Sequence, residues 1–177
     1  MIRDKNFLKS YYPDKVINKA KQIELLAFDV DGVLTDGGLY YDHEGNELKK
    51  FYAQDGHGIK IVQSIGIEIM IISGRKAASV NHRAKELGIK YVLQGSRNKL
   101  KSFYDQNISV SLEKVCFVGD DTVDVELLNS VGLSVVVPNC NPTIDTKLFD
   151  WVTKRHGGYG AIRDVCDLIY FSKKLNE

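Results

Sequence analysis

Short apolar runs alternate with longer amphipathic segments along most of the chain. Six runs have the length of a strand, and the one at 67–73 is too apolar to leave one face in water. The predicted strands are 23–30, 67–73, 90–95, 114–119, 133–137 and 150–153. The intervening segments predict helices at 11–22, 55–66, 76–88, 98–107, from 120 to about 130, and 160–175.

Strands that alternate with helices in this way predict an α/β fold, a Rossmann-like doubly wound parallel sheet with helices on both faces. The segment 38–52 differs, because two alternating runs flank turn-forming residues at 43–46, and it predicts a β-hairpin. A length of 177 residues fits a single domain that covers 1–177. In such sheets ligands bind beyond the carboxyl ends of the strands, so the residues after each strand are the candidates for chemistry.

The overall charge excludes some classes of partner. There are 24 basic and 23 acidic side chains, a formal net charge of +1, so we expect no nucleic acid and no membrane as a partner. The three cysteines have no C-x-x-C spacing and indicate neither a disulfide framework nor a zinc site. The first residues are charged and lack the apolar core of a signal peptide. We therefore expect a cytoplasmic protein.

The first candidate for chemistry is the sequence DVDG after the strand at 23–30. Asp29 and Asp31 are two positions apart and point to the same face, so one carboxylate could attack as a nucleophile while the other moves a proton. A simple turn at Asp31 and Gly32 would explain the pair equally well. A helix-loop-helix calcium site is excluded, because its glycine would fall on Leu34 and its final glutamate on Tyr40.

A second group of carboxylates follows the strand at 114–119. Asp120 ends the strand, and Asp121 and Asp124 lie within the next helical turn. Helix capping explains one of them, most simply Asp121, but not all three together. Added to the first pair, this negative charge at one edge of the sheet predicts a hard cation with oxygen ligands, and Mg²⁺ suits that role.

Two further signals would suit a phosphate group. Ser73 and Gly74 lie between a strand and a helix, where a hydroxyl group and free amides bind phosphate oxygens, although a serine cap is the commoner explanation. Lys99 lies near the start of another helix and could neutralise a phosphoryl group, although alone it would be a solvated lysine. The glycines of the segment 155–164 lack the full dinucleotide-binding spacing and predict a nucleotide site only weakly.

Taken in order, DVDGV, Ser73, Lys99 and GDDTVD resemble the motifs of the haloacid dehalogenase superfamily of phosphatases. The resemblance implies that Asp29 forms an aspartyl-phosphate and that Asp31 protonates the leaving alcohol and then activates water. True dehalogenases of the superfamily lack the second aspartate, so Asp31 favours an oxygen leaving group.

The same resemblance implies the remaining roles in the site. Asp29, Asp31 (through its carbonyl group) and Asp120 would hold Mg²⁺. Ser73, Gly74 and Lys99 would bind the phosphoryl oxygens. Asp121 and Asp124 would lie in the layer behind the metal ligands.

Longer stretches resemble one family within the superfamily, the 3-deoxy-D-manno-octulosonate 8-phosphate phosphatases. They include residues 29–60, ISGRKA, LGIKYVLQG and GGYGAIRDVCDLI. This closer resemblance implies hydrolysis of that phosphorylated sugar acid in lipopolysaccharide inner-core synthesis. It also implies a capless enzyme that forms a homotetramer through the hairpin at 38–52, with Asp55 near the substrate. Arg75 and Lys76, just after Ser73, could bind the carboxylate of an acidic sugar, and the alternative for both is a solvated position at a helix start.

Two alternatives remain open at the level of sequence. One is the same chemistry on the 9-phosphate of a nine-carbon keto-sugar acid, such as sialic acid or its deaminated analogue. The other is a non-catalytic oligomerisation module, which would be expected to lack an aspartate or lysine of the set. One departure concerns the substrate: Tyr159 occupies a position where the family commonly has arginine.

Overall fold

The computed structural model describes residues 10–174, and the last residue of the helix predicted at 160–175 lies outside this range. Six strands form one parallel sheet, which confirms the predicted fold class. They are β1 (Leu25–Phe28), β4 (Glu68–Ser73), β5 (Tyr91–Gln94), β6 (Val115–Gly119), β7 (Leu133–Val136) and β8 (Trp151–Val152). Two shorter strands, β2 (Tyr40–Tyr41) and β3 (Glu47–Leu48), form a separate antiparallel pair.

The order of the strands in the sheet is β5-β4-β1-β6-β7-β8. The chain therefore builds outward from β1 to β4 and β5, and then returns to the other side of β1 with β6. Phe28, the last residue of β1, pairs with Ile71 on one side and with Val118 on the other. This reversal is a topological switch point, and the residues that follow β1 and β6 meet there.

Helices cover both faces of the sheet, as predicted. They are α1 (Asp14–Ala20), α2 (Ala53–Ser64), α3 (Ala78–Leu87), α4 (Lys99–Tyr104), α5 (Val125–Leu128) and α6 (Ala161–Lys174). The apolar residues of α1, α2, α3 and α6 pack on one face, and those of α4 and α5 pack on the other. Gly88 ends α3 in the left-handed conformation (φ 67°), the conformation that favours glycine after a helix.

Successive residues of the central strands point to opposite faces and so belong to two separate cores. Leu26 and Phe28 lie in the core beneath α2 and α6, whereas Leu25 and Ala27 lie in the core beneath α4 and α5. All four side chains are fully buried. This two-sided burial explains why β1 is uniformly apolar, and it makes the sheet a rigid support for the loops at its carboxyl edge.

The hairpin is shorter than the predicted 38–52. Its turn is held by Asp42, whose side chain accepts hydrogen bonds from the backbone N–H groups of Glu44 (2.9 Å) and Asn46 (2.8 Å). Pairing ends at Leu48, and the side chain of the next residue, Lys49, lies on the same side as Glu47 and contacts Asp31 at the sheet edge. Between Leu34 and Ala53 the only strands or helices are those of the hairpin, and between Ser73 and Lys99 they are α3 and β5. Neither segment of the described chain therefore contains a cap domain.

No helix within residues 10–174 is both long enough and apolar enough to cross a membrane.

Asp55 was expected near the substrate, but the structure places it in the interior. Its side chain is fully buried in the first turn of α2, and its Oδ1 accepts a hydrogen bond (2.7 Å) from the backbone N–H of Arg163, in the first turn of α6. Asp55 thus satisfies a free amide of a second helix, because α2 and α6 pack together. The expectation that Asp55 binds the substrate is therefore corrected: its buried carboxylate links the two helices.

Burial raises the pKa of the Asp55 carboxyl group to about 6 from an ordinary 3.8. A raised pKa means that the neutral form contributes stability at low pH and that this stability is lost as pH rises through about 6. We therefore expect Asp55→Asn, which does not titrate, to gain about 3 kcal/mol in unfolding free energy relative to the wild type between pH 4 and pH 7.

Urea denaturation across this pH range measures the gain. Asp105→Asn, at the residue that follows α4, is the control and should show a nearly constant difference from the wild type, because its carboxylate is exposed. A difference for Asp55→Asn that does not change with pH would contradict the prediction.

Candidate active site

Asp29 directly follows β1 and continues its ladder, because its backbone N–H donates to the carbonyl oxygen of Val118 (3.0 Å). The chain then makes a tight helical turn over Val30–Leu34, which Asp31 and Gly32 interrupt with non-helical backbone angles. Asp29 is only 7% exposed, and its Oδ1 accepts a hydrogen bond from the N–H of Val30 (2.7 Å). The carboxylate is therefore held in a fixed orientation at the switch point.

Lys99 lies between two of the predicted aspartates. Its Nζ is 3.0 Å from Oδ2 of Asp29 and also contacts Oδ1 of Asp124, and its side chain is 1% exposed. Burial alone would lower the pKa of Lys99, but Asp29 and Asp124 together raise it above the ordinary value. A permanent positive charge is thus placed beside the carboxylate of Asp29.

Asp124 and Asp121 organise the loop that follows β6. Asp124 Oδ2 accepts hydrogen bonds from the backbone N–H groups of Asp120 (2.9 Å) and Asp121 (3.1 Å). Asp121 accepts hydrogen bonds from the N–H of Thr122 (2.7 Å) and from Asn141 (2.9 Å), and these bonds lower its pKa. The two aspartates form a reciprocal cap on the helical turn, as the sequence indicated for Asp121.

Asp120 is the one carboxylate of this loop that remains without a protein partner among the described residues. Its Oδ1 is buried and accepts no hydrogen bond. Burial, together with the negative charges of Asp29 and Asp124, raises its pKa to about 8. Its Oδ2 lies so close to Gly32 (φ 87°) that a Cβ atom at that glycine would be 2.0 Å away. A side chain at position 32 would therefore displace Asp120.

These observations fit a hard divalent cation. Oxygen atoms of Asp29, Asp120 and Asp124 all lie within 4.8 Å of one another. Asp124 is already occupied by Lys99 and two backbone amides, so the geometry leaves Asp29 and Asp120 as the carboxylates available to a metal. The buried Asp120 oxygen has no hydrogen-bond partner and lies beside two more carboxylates. A bound Mg²⁺ would neutralise the repulsion among these negative charges.

The structure brings Ser73 to the same edge. Ser73 ends β4 two residues beyond Ile71, the partner of Phe28, and it is 2% exposed. The neighbouring Gly74 is exposed and precedes α3. Lys76 is also exposed, but its side chain lies against Gly95 beyond the edge strand β5. Ser73 and Gly74 thus lie at the edge, whereas Lys76 points toward its periphery.

Asp31 is held by Lys49 and Glu47, which no sequence motif indicated, together with Arg75. Lys49, just after β3, contacts Oδ1 of Asp31 and lies 2.6 Å from Oε1 of Glu47. Arg75 completes the group: its Nη2 donates to Oε2 of Glu47 (2.8 Å), and its Nε is 3.8 Å from Oδ2 of Asp31. The alternation that puts Glu47 and Lys49 on one face of the hairpin was the available signal.

A second missed residue is Asn139, which connects the catalytic loop to the glycine-containing segment near 155–160. Its Nδ2 donates to the carbonyl oxygen of Gly32 (3.0 Å), and its Oδ1 accepts from the N–H of Gly157 (2.8 Å). A Cβ atom on Gly157 would be 1.7 Å from the Gly32 oxygen. These glycines therefore permit two backbones to meet, which accounts for the weak resemblance to a nucleotide loop.

Comparison with known proteins agrees with this site. A family model described as haloacid dehalogenase-like hydrolase matches residues 97–162. The chain is 45% identical over 165 residues to 3-deoxy-D-manno-octulosonate 8-phosphate phosphatase KdsC of Escherichia coli (strain K12), covering 92% of this chain and 87% of the relative.

Two solved structures are also similar. The phosphatase of the same name from Moraxella catarrhalis, a complex with magnesium ion, phosphate ion and KDO molecule, is 38% identical with a TM-score of 0.88, covering 92% of this chain and 94% of that one. The cobalt-bound phosphatase YrbI of Haemophilus influenzae is 35% identical with a TM-score of 0.83, covering 88% and 92%.

The switch point and its carboxylates thus define a haloacid dehalogenase-like hydrolase. Within that class, the identity over most of both chains shows that this chain belongs to the 3-deoxy-D-manno-octulosonate 8-phosphate phosphatase family.

Proposed function

We propose that this protein is a Mg²⁺-dependent phosphatase that hydrolyses 3-deoxy-D-manno-octulosonate 8-phosphate to the free sugar acid and phosphate, in the cytoplasm, as a step of lipopolysaccharide inner-core synthesis. The observation that carries the proposal is the meeting of Asp29, Lys99 and Asp120 at the switch point. The family membership supports the choice of substrate.

In the first half of the reaction, an oxygen of the Asp29 carboxylate attacks the phosphorus atom. The bond between phosphorus and the sugar oxygen breaks, and Asp31 donates a proton to that oxygen, so that an alcohol leaves. Asp29 is suited to attack because Val30 and Lys99 fix its orientation. Ser73, the amide of Gly74 and Lys99 hold the phosphoryl oxygens.

In the second half, water attacks the phosphorus atom of the aspartyl-phosphate and gives its proton to Asp31. The bond between phosphorus and Asp29 breaks, which regenerates both carboxyl groups and releases phosphate. Asp29, the carbonyl group of Asp31 and Asp120 would hold Mg²⁺, which when bound neutralises the crowded negative charge of the carboxylates and the phosphoryl group. Asp121 and Asp124 cap the helical turn that follows Asp120, and Asp124 also contacts Lys99.

Arg75 is proposed to face the acidic end of the sugar, and Lys76 is proposed to act on it from the periphery of the site. Arg75 is suited to this role because its side chain is 45% exposed at the mouth of the site, where its contact with Glu47 uses only part of its guanidinium group. Lys76 is exposed one residue further along and would contribute long-range attraction for an anionic substrate.

The test is a panel of phosphate esters assayed for phosphate release in the presence of Mg²⁺. We expect the highest kcat/KM with the eight-carbon 8-phosphate, lower values with nine-carbon keto-sugar acid 9-phosphates, and the lowest with neutral sugar phosphates. A preference for a nine-carbon acid would replace the substrate but keep the chemistry. No phosphate release from any ester would leave a non-catalytic oligomerisation module as the function.

We further propose that the chain acts as one domain and assembles as a homotetramer through the hairpin. Four large apolar side chains are exposed on this small element: Leu39, Tyr40, Tyr41 and Leu48, each between 44% and 57% exposed. An apolar patch of this kind is typical of an interaction surface. Because residues 10–174 include no cap domain, a neighbouring copy would also shield the open site from water.

Light scattering is expected to give four chain masses for the wild type. The double variant Tyr41→Lys/Leu48→Lys should dissociate, because it places charge on the apolar surface of the hairpin. The control Tyr104→Lys changes an equally exposed aromatic residue on α4 and should remain assembled. An active wild-type monomer would contradict both the assembly and the shielding of the site.

A further inference from the structure

The proton-transfer residue of the proposed reaction is part of a group of four charges, three of them largely removed from water, that the proposed function does not explain. Asp31 contacts Lys49, Lys49 contacts Glu47, and Glu47 contacts Arg75. The side chain of Lys49 is 1% exposed, and those of Glu47 and Asp31 are 15% and 18% exposed. One positive and two negative charges are thus largely enclosed where the hairpin meets the edge of the sheet, and Arg75, which is 45% exposed, closes the group on the solvent side.

The two oxygens of Asp31 have different surroundings. Oδ1 accepts a hydrogen bond from the Lys49 ammonium group. Oδ2 is buried and has no hydrogen-bond partner among the described residues, and its nearest ion-pair partner is Nε of Arg75 at 3.8 Å. One oxygen is therefore held by the hairpin, whereas the other is left free.

A purely structural origin does not explain this arrangement well. Removing a lysine and carboxylates from water is costly, and apolar residues of similar volume often stabilise a fold as well or better. What a buried ion pair does supply is a fixed direction for each charged group. The contacts also join three segments, since Asp31 follows β1, Lys49 follows β3 and Arg75 follows β4.

We propose that Lys49 is a positioning residue for the reaction, holding Asp31 through Oδ1 so that Oδ2 faces the substrate and carries the proton. This inference rests on the proposed function. In the first half-reaction the proton moves from Oδ2 to the ester oxygen as the bond to phosphorus breaks, and in the second a water proton moves to Oδ2. Glu47 also contacts Lys49, and it contacts Arg75, which lies at the mouth of the site.

The hairpin would then have a role in the reaction besides its role in assembly. The segment that carries Lys49 is continuous with β3, which presents Leu48 to solvent. A neighbouring copy that packs on the hairpin would hold Lys49, and through it Asp31, in place. Proton transfer in one subunit would then depend on the assembly of the others.

The test compares two esters that differ in their need for an acid. The leaving group of an alkyl phosphate such as the sugar 8-phosphate is a basic alkoxide that needs a proton. The leaving group of p-nitrophenyl phosphate is a stable anion that does not. Because kcat/KM covers only the steps up to the first irreversible one, it isolates departure of the alcohol. Lys49→Met is expected to lower kcat/KM about 100-fold for the sugar phosphate but less than about 5-fold for the nitrophenyl ester.

The matched control is Lys50→Met, the neighbouring lysine, which contacts Asp36 (2.8 Å) and Tyr159 (3.1 Å) instead. Its ratio of the two kcat/KM values should equal that of the wild type. If Lys49→Met does not fold, the double variant Glu47→Gln/Lys49→Met removes both charges of the Lys49–Glu47 pair and should show the same selective loss. Circular dichroism establishes that each variant is folded.

The outcomes separate the two proposals. Equal losses on both esters, or no loss on either, would overturn the role of Lys49 while leaving the phosphatase intact. If the wild type hydrolyses another alkyl phosphate but not the sugar 8-phosphate, the proposed substrate falls, and the comparison for Lys49 proceeds with that alkyl ester. A wild type inactive toward every ester would overturn both.

Discussion

Asp29→Asn is expected to abolish phosphate release from the sugar phosphate, with a loss of at least ~10⁴-fold in kcat, because an amide cannot form the phosphoryl intermediate. The fold should remain intact. The amide oxygen can still accept the hydrogen bond from Val30, and the side chain has the same shape in the same buried position. A steady-state phosphate assay and thermal unfolding measured on the same preparation test both statements.

Asp121→Asn is the matched control, since it changes a carboxylate at the same edge of the sheet. Asp121 accepts hydrogen bonds from Thr122 and Asn141, and an amide oxygen can accept both. We expect a loss of less than about 10-fold in kcat from this variant, because its contribution is confined to the cap. Retained turnover in Asp29→Asn would remove Asp29 from its role, whatever the result for Asp121.

Removal of divalent cations has the second largest expected effect. Excess chelator should lower phosphate release about a thousandfold, because charge neutralisation by a bound metal is worth several kcal/mol to the transition state. Added Mg²⁺ should restore the rate and raise the unfolding temperature, since the unpartnered Asp120 and its neighbours repel one another without a cation.

Asp120→Asn tests whether the cation acts at this site. The variant should fold, lose most of its activity and no longer gain thermal stability from Mg²⁺. The same gain in stability with and without Asp120 would place the metal elsewhere in the protein. Unchanged phosphate release in excess chelator would contradict the assignment of a metal-dependent reaction.

The elements could be predicted because their signals are local. Buried parallel strands need apolar side chains on both faces, so β1 and β4 stand out as continuous apolar runs. Local signals define the ends of the elements less sharply. The strand predicted at 23–30 has regular strand structure over Leu25–Phe28, and after Asp29, which still bonds to Val118, the chain turns away. The hairpin predicted at 38–52 is paired only as far as Leu48.

The candidate site was predictable where its residues follow strands. A parallel sheet brings the carboxyl ends of its strands to one edge, so Asp29, Ser73 and Asp120 could be placed together from sequence order alone. Asp55 does not follow a strand, and only the family resemblance implied that it lies near the substrate. It opens the helix predicted at 55–66, and the packing of α2 on α6 buries it completely.

By itself, the sequence determined the alternation of strands and helices, the edge at which chemistry occurs and the types of group available there. Only the tertiary structure decided which oxygen of each carboxylate is held by the protein and which is available to a ligand. Lys49 reaches Asp31 across 18 positions and Asn139 reaches Gly32 across 107. Local alternation can indicate the face on which a side chain lies, but not its partner, because the partner depends on how separately formed elements pack.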